Sequence, residues 1–345
     1  MPELPTTNGT VSRSNAVPPN VIRFSPAWWL PNPHLQTLWG KFLRRQPLRP
    51  TRVERLDTPD GDFLDIHHVD APAGAPILVL LHGLEGSVRS HYIQALLGEA
   101  SRRGWRSAVL IFRSCGDEIN RTRRFYHSGE TTDIAFAVDH LLDEFPESDI
   151  VIAGVSLGGN VLLKFLGERG AAISPRIKGA VAASVPFDLS RSARHIDQGF
   201  SRVYRRSFVR SLKRKAAVKL ETFPDLASPE ALASAITMVD FDNTFTAPLH
   251  GFHDAEDYYV RSSSIGWLEG IRVSTLLLSA VDDPFLPEQV LDDVRQIAGR
   301  NPALELEFTR RGGHVGFVGG PNPLSPVYYL EHRVGDFLAR RLRAA

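Results

Sequence analysis

The stretch Ile150–Leu163 restricts the fold more than any other part of the sequence. Ile150-Val151-Ile152-Ala153 has the character of a buried strand and runs directly into Gly154-Val155-Ser156-Leu157-Gly158. The residues that follow carry helical spacing. A strand that turns into a helix through G-x-S-x-G holds its serine in a strained conformation, with the hydroxyl standing clear at the head of the helix. A Cβ at 154 or 158 would collide with the neighbouring strand or helix, so glycine is needed at both. A helix N-terminus favours developing negative charge, which makes Ser156 a candidate nucleophile. The plainer reading is a glycine-rich turn with Ser156 as a helix N-cap.

The segments on either side fit a parallel sheet around that turn. Arg52–Leu56 and Phe63–Val69 alternate about Thr58-Pro59-Asp60-Gly61 and read as a hairpin. Strand-like Ile77–Leu81, Ser107–Phe112, Ile150–Ala153 and Gly179–Ser184 then alternate with helical patterns over His91–Arg103 and Thr131–Phe145. Such alternation implies parallel strands with helices on both faces. From Pro186 to about Ile271 no strand is legible. The rhythm returns with a strand at Leu276–Ala280, a helix at Pro287–Ala298 and a strand at Leu304–Phe308. A last helix is expected over Ser325–Arg341, with Ser325 as cap and Pro326 at its first position. The expected organisation is a tail at 1–20, a core of 21–185 and 272–345, and a helical lid inserted at 186–271. The tail is rich in Pro, Asn, Ser and Thr and reads as disordered. An insertion there would lie over the carboxyl ends of the strands, where ligands bind in open α/β sheets.

A serine hydroxyl needs a base, and the base needs a carboxylate to orient it. Behind a nucleophile elbow these follow in the order acid, then histidine, on loops after later strands. The sequence offers Asp282 and Asp283 after Leu276–Ala280, and His314 on a glycine-flanked loop after Leu304–Phe308. Successive residues leaving a strand point opposite ways, so one of the two carboxylates reaches His314. The rigid Asp283-Pro284-x-x-Pro287 turn favours Asp283, leaving Asp282 as a turn residue. Oxyanion donors are expected at the amides of Leu157, next after the nucleophile, and Leu84, in the His82-Gly83 turn after Ile77–Leu81. His34, His82 and His127 read as structural hydrogen-bonders and Cys115 as a bystander thiol.

Charge is nearly balanced, 40 Lys and Arg against 39 Asp and Glu, which argues against a nucleic-acid binder. One cysteine rules out an intrachain disulfide, and no apolar run approaches a membrane span or a signal peptide. The expectation is a cytoplasmic protein. Within 186–271, Arg202, Arg205, Arg206, Arg210, Lys213, Arg214, Lys215 and Lys219 are interleaved with Phe200, Tyr204 and Phe208. The plain reading is a solvated helix face; the sharper one is a basic amphipathic element in weak contact with anionic lipid surfaces.

Seven stretches together resemble the YheT-like α/β hydrolases, a family that also includes medium-chain fatty-acid ethyl ester synthase/esterases. They are N-P-H-L-Q-T from Asn32, H-G-L-E-G-S from His82, Y-H-S-G-E-T from Tyr126, G-V-S-L-G-G-N from Gly154, F-T-A-P-L-H-G-F from Phe245, D-D-P-F from Asp282 and G-G-H-V-G-F from Gly312. The resemblance implies an α/β-hydrolase fold with a triad at Ser156, Asp283 and His314. It further implies small-molecule acyl esters as substrates and no cofactor. Ser114 departs from the family pattern, standing in Arg113-Ser114-Cys115 where glycine is usual.

Overall fold

A computed structural model describes residues 23–44 and 46–344; the tail expected at 1–20 lies outside the described residues. The strands are β1 (Arg52–Asp57), β2 (Phe63–Val69), β3 (Ile77–Leu81), β4 (Arg106–Ile111), β5 (Ile150–Val155), β6 (Ile177–Ala183), β7 (Thr275–Ala280) and β8 (Leu304–Thr309). They form one sheet in the order β1-β2-β4-β3-β5-β6-β7-β8. The hairpin β1–β2 joins the sheet through an antiparallel β2–β4 ladder, and from β4 to β8 every pair is parallel. β3, β5 and β7 are buried along their whole length, as strands covered on both faces must be. Their continuous Ile, Leu and Val runs supply the core, each fully buried side chain contributing about 1.5–3 kcal/mol.

The helices are α1 (Pro33–Phe42), α2 (His91–Arg102), α3 (Thr132–Glu144), α4 (Leu157–Arg169), α5 (Leu189–His195), α6 (Arg202–Thr222), α7 (Pro229–Ser234), α8 (Met238–Phe241), α9 (Ala247–Leu249), α10 (Ala255–Ser262), α11 (Glu288–Ala298) and α12 (Tyr329–Arg343). A π-helical turn, Asp242–Thr246, joins α8 to α9. Among the described residues, α5 to α10 fall between β6 and β7 with no strand. None of the helices described is long and apolar enough to cross a membrane.

Two local expectations are corrected. Pro287 occupies the N-cap of α11 rather than its first turn. The last helix starts at Tyr329, because Val327 and Tyr328 pair with Gly319 and Val318 in a short antiparallel ribbon, β9 (Val318–Gly319) and β10 (Val327–Tyr328). Ser325-Pro326 is a competent start signal, but pairing with the chain after β8 takes these residues first.

The Arg113-Ser114-Cys115 loop is held by buried charge. Arg113 meets Asp62 at 2.9 Å and Asp133 at 2.8 Å, all three carrying side chains at most 4% exposed. Removing one partner of such a cluster costs about 3–5 kcal/mol. Ser114 adopts φ 63°, a left-handed conformation that glycine accommodates most easily.

Candidate active site

Four loops leave the carboxyl ends of β3, β5, β7 and β8 and converge on one cavity of about 1100 Å³. Ser156 stands at φ 55° and ψ −121°, between β5 and α4, with its amide tied to the Ala183 carbonyl at 2.8 Å. Glycine makes the elbow possible: a Cβ on Gly154 would lie 2.4 Å from the Gly158 carbonyl oxygen, and one on Gly158 would lie 2.5 Å from that of His82. Ser156 sits at the N-cap position of α4, yet its side chain makes no capping bond. The hydroxyl faces His314 instead, with Oγ 3.0 Å from Nε2.

His314 Nδ1 is 2.8 Å from Asp283 Oδ2. The other Asp283 oxygen accepts the Phe285 amide at 2.9 Å, and the Phe285 ring stacks on the imidazole with centroids 4.0 Å apart. Asp282 points elsewhere, accepting the Gly313 amide on Oδ1 at 2.9 Å. The structure thus brings Ser156, His314 and Asp283 into one hydrogen-bonded line and keeps Asp282 under the histidine loop.

The two residues expected to supply oxyanion donors also line this cavity. Leu84 lies between two anchored amides: that of Gly83 donates to Tyr92 Oη at 2.8 Å, and that of Glu85 to Tyr126 Oη at 3.0 Å. Its own N–H has no protein acceptor among the described residues. The Leu157 amide, in the first turn of α4, likewise has no intrahelical acceptor. Both residues line the cavity with Ser156 and His314.

Other candidates fall into supporting roles. His82, fully buried, has Nδ1 against the Gly83 carbonyl at 2.8 Å and accepts the Phe112 amide on Nε2 at 3.2 Å. Burial lowers its pKa to about 4, so the ring is a neutral brace. His127 accepts the Gly129 amide at 3.2 Å, and His34 Nδ1 lies 3.3 Å from Tyr204 Oη. Cys115 is buried outside the cavity lining, its thiol pushed up to about 11 by burial.

Sequence reasoning missed what steadies the histidine loop. That loop bends through positive φ at Gly313, Val315 and Phe317. It is gripped from α1: Thr37 Oγ1 accepts the His314 amide at 2.9 Å, while Gln36 exchanges bonds of 3.0 and 2.9 Å with the Val318 backbone. Ser184 Oγ accepts the Val315 amide at 3.1 Å. It missed Glu85 as well. Glu85 Oε1 accepts from Tyr126 Oη at 2.7 Å and from Lys215 Nζ at 2.8 Å, and Oε2 accepts from Ser211 Oγ, tying the Leu84 loop to α6. The signal was present in N-P-H-L-Q-T and H-G-L-E-G-S, motifs whose polar residues had no assigned partners.

Sheet topology, elbow and the order of the converging loops define an α/β hydrolase. A family model described as alpha/beta hydrolase fold matches residues 76–321. The chain is 39% identical to YheT of Escherichia coli (strain K12), over 100% of this chain and 99% of that protein, and it belongs to the YheT-like α/β hydrolases. It is also 33% identical to the monoacylglycerol lipase of Saccharomyces cerevisiae (strain ATCC 204508 / S288c), over 70% of this chain and 55% of that one. Phospholipase ABHD3 of Bos taurus is 27% identical over 88% of this chain and 75% of its own. Among solved structures, the Pyrococcus furiosus esterase Pf2001 superposes with a TM-score of 0.55 at 19% identity, covering 84% of this chain and 91% of that one, a likeness of fold.

Proposed function

We propose that the chain is a serine carboxylic-ester hydrolase acting on short- or medium-chain acyl esters through an acyl-enzyme. The observation that carries this reading is the imidazole of His314, held between Ser156 Oγ at 3.0 Å and Asp283 at 2.8 Å. In this mechanism Nε2 takes the hydroxyl proton as Ser156 Oγ attacks the ester carbonyl. The Leu84 and Leu157 amides stabilise the oxyanion, each worth about 3–4 kcal/mol of barrier. His314 returns the proton to the leaving alcohol. A water, deprotonated by the same nitrogen, then releases the acid; an alcohol in that place would give transesterification. No step calls for a cofactor.

Residues 186–271 serve as a lid in this reading. Leu189, Ile196, Phe208, Met238 and Phe241 from that segment line the cavity that holds Ser156. An apolar cavity of about 1100 Å³ suits an acyl chain. Each methylene buried there adds about 0.8 kcal/mol, or roughly fourfold in kcat/KM. Assays of p-nitrophenyl esters of graded acyl length should therefore rise by about that factor per carbon until the cavity is filled. A flat profile would remove the acyl-pocket assignment. Absence of labelling by a fluorophosphonate would remove the serine-hydrolase reading itself. A lipase or phospholipase is the second reading, favoured by the names of two relatives and by the cavity's size.

Glu85 is a positioning residue here. It locks the backbone beside Leu84, at φ 55°, to Tyr126 and to α6. Glu85→Gln keeps the shape but removes the charge facing Lys215, loosening the donor loop. The expected result is a fall in kcat of about tenfold with KM nearly unchanged. An unaltered kcat would show that Leu84 needs no such clamp.

A further inference from the structure

We propose that the rim of α6 and α1 around the cavity mouth is a docking surface for anionic phospholipid bilayers, so that the ester is taken from a lipid–water interface. The nature of what enters the cavity rests on the ester-hydrolase reading; the docking itself needs no turnover.

The first observation is how α6 sorts its charge. Arg205 faces inward and pairs with Asp197 at 3.2 Å, Lys215 meets Glu85, and the buried Lys219 donates to the Asn120 carbonyl at 2.8 Å. Arg202, Arg206, Arg210 and Arg214 are all exposed and stand four residues apart on the opposite face. Like charges at i and i+4 repel, so a row of four is a liability unless something outside neutralises it. Among the described residues none of the four pairs with a carboxylate: Arg202 donates to the Asp197 carbonyl at 2.9 Å and Arg214 lies 3.5 Å from Ser211 Oγ. At 1.5 Å per residue the row extends about 18 Å, enough to meet several lipid head groups.

The second observation is apolar. Phe42 and Leu43 at the end of α1 are 68% and 59% exposed, and Phe200, just before α6, and Val203, in its first turn, are 50% and 57% exposed. The two helices are neighbours here, since Tyr204 Oη of α6 lies 3.3 Å from His34 Nδ1 of α1, and the Phe200 ring packs on the same imidazole with centroids 4.6 Å apart. Phe42, Phe200, Val203, Arg210 and Arg214 border the cavity that contains Ser156 and His314. Aromatic rings beside unpaired guanidinium groups match an interface whose phosphates accept from arginine and whose acyl boundary takes the rings. An acidic protein would satisfy the charge alone. A bilayer satisfies both, and it presents acyl esters at the mouth.

The test is flotation with vesicles of phosphatidylcholine alone and of phosphatidylcholine mixed with phosphatidylglycerol, using Ser156→Ala protein so that no lipid is consumed. Binding to the mixed vesicles, much weaker binding to the neutral ones, and release by salt are expected. Adding Arg210→Gln and Arg214→Gln should weaken binding to the mixed vesicles about twentyfold, and adding Phe42→Ser and Phe200→Ser about tenfold. Because all four side chains are exposed, melting temperatures should stay at the parent value. Equal partitioning to both vesicle types, or rim variants that bind like the parent, would overturn the proposal. Fluorophosphonate labelling of the wild type reports on the hydrolase reading separately, so either idea can fail alone.

Discussion

Ser156→Ala lowers kcat on a p-nitrophenyl ester by about 10⁴-fold or more, leaves KM close to its starting value and leaves the melting temperature nearly unchanged. The size follows from what the proposed mechanism would lose: without Oγ it forms no acyl-enzyme, and only binding and the two proposed oxyanion amides remain. The neutrality of the fold follows from the position. Alanine fits wherever serine does, Ser156 makes no capping bond, and its amide bond to the Ala183 carbonyl is kept. Progress curves after active-site titration distinguish true residual turnover from wild-type contamination. Turnover within tenfold of the wild type would place the nucleophile elsewhere.

The second large effect separates two adjacent carboxylates. Asp283→Asn is expected to cost about 10⁴-fold in kcat, and Asp282→Asn less than about tenfold. In the proposed mechanism the Asp283 carboxylate accepts from His314 Nδ1–H, which leaves Nε2 to accept from Ser156. An asparagine amide donates to Nδ1, drives the proton onto Nε2, and leaves the serine facing a donor rather than a base. Asp282 makes its bond to the Gly313 amide through Oδ1, and an asparagine oxygen accepts that bond equally well. A reversed ranking in kcat at neutral pH would assign orientation of the imidazole to the wrong residue.

Much of this was legible because the signals are local. Gly154 announces the elbow through a steric limit set by Gly158 a few residues on, although Gly158 itself answers to the His82 carbonyl of a distant strand end, and Asp283 and His314 are marked by the strand ends that precede them. The adjacent Asp282 was harder: the rigid Asp-Pro turn favoured Asp283, but it took the fold to show Asp283 facing His314 and Asp282 under the Gly313 amide. What escaped was long-range. Thr37 accepts from an amide 277 positions away, and no periodicity records such a partner. The start of α12 failed for the same reason, since Val327–Tyr328 pair with the chain that follows the histidine loop. The cations of α6 were read as one population, whereas packing divides them. Lys219 is 1% exposed, a burial that lowers its pKa to about 8, while Arg206 and Arg210 stay in water. Composition counts charges, but only the neighbouring elements decide which of them face solvent.

The grip of Gln36 and Thr37 on the His314 loop has a consequence for biosynthesis. A ribosome makes the holder before any strand of the sheet and makes its cargo only after β8. A nascent chain halted between the two would already contain the elbow and its serine, yet no seated imidazole. In the proposed mechanism, competence therefore waits for the segment that follows the last strand, and a product stopped short of it is expected to stay inert however well its sheet has formed.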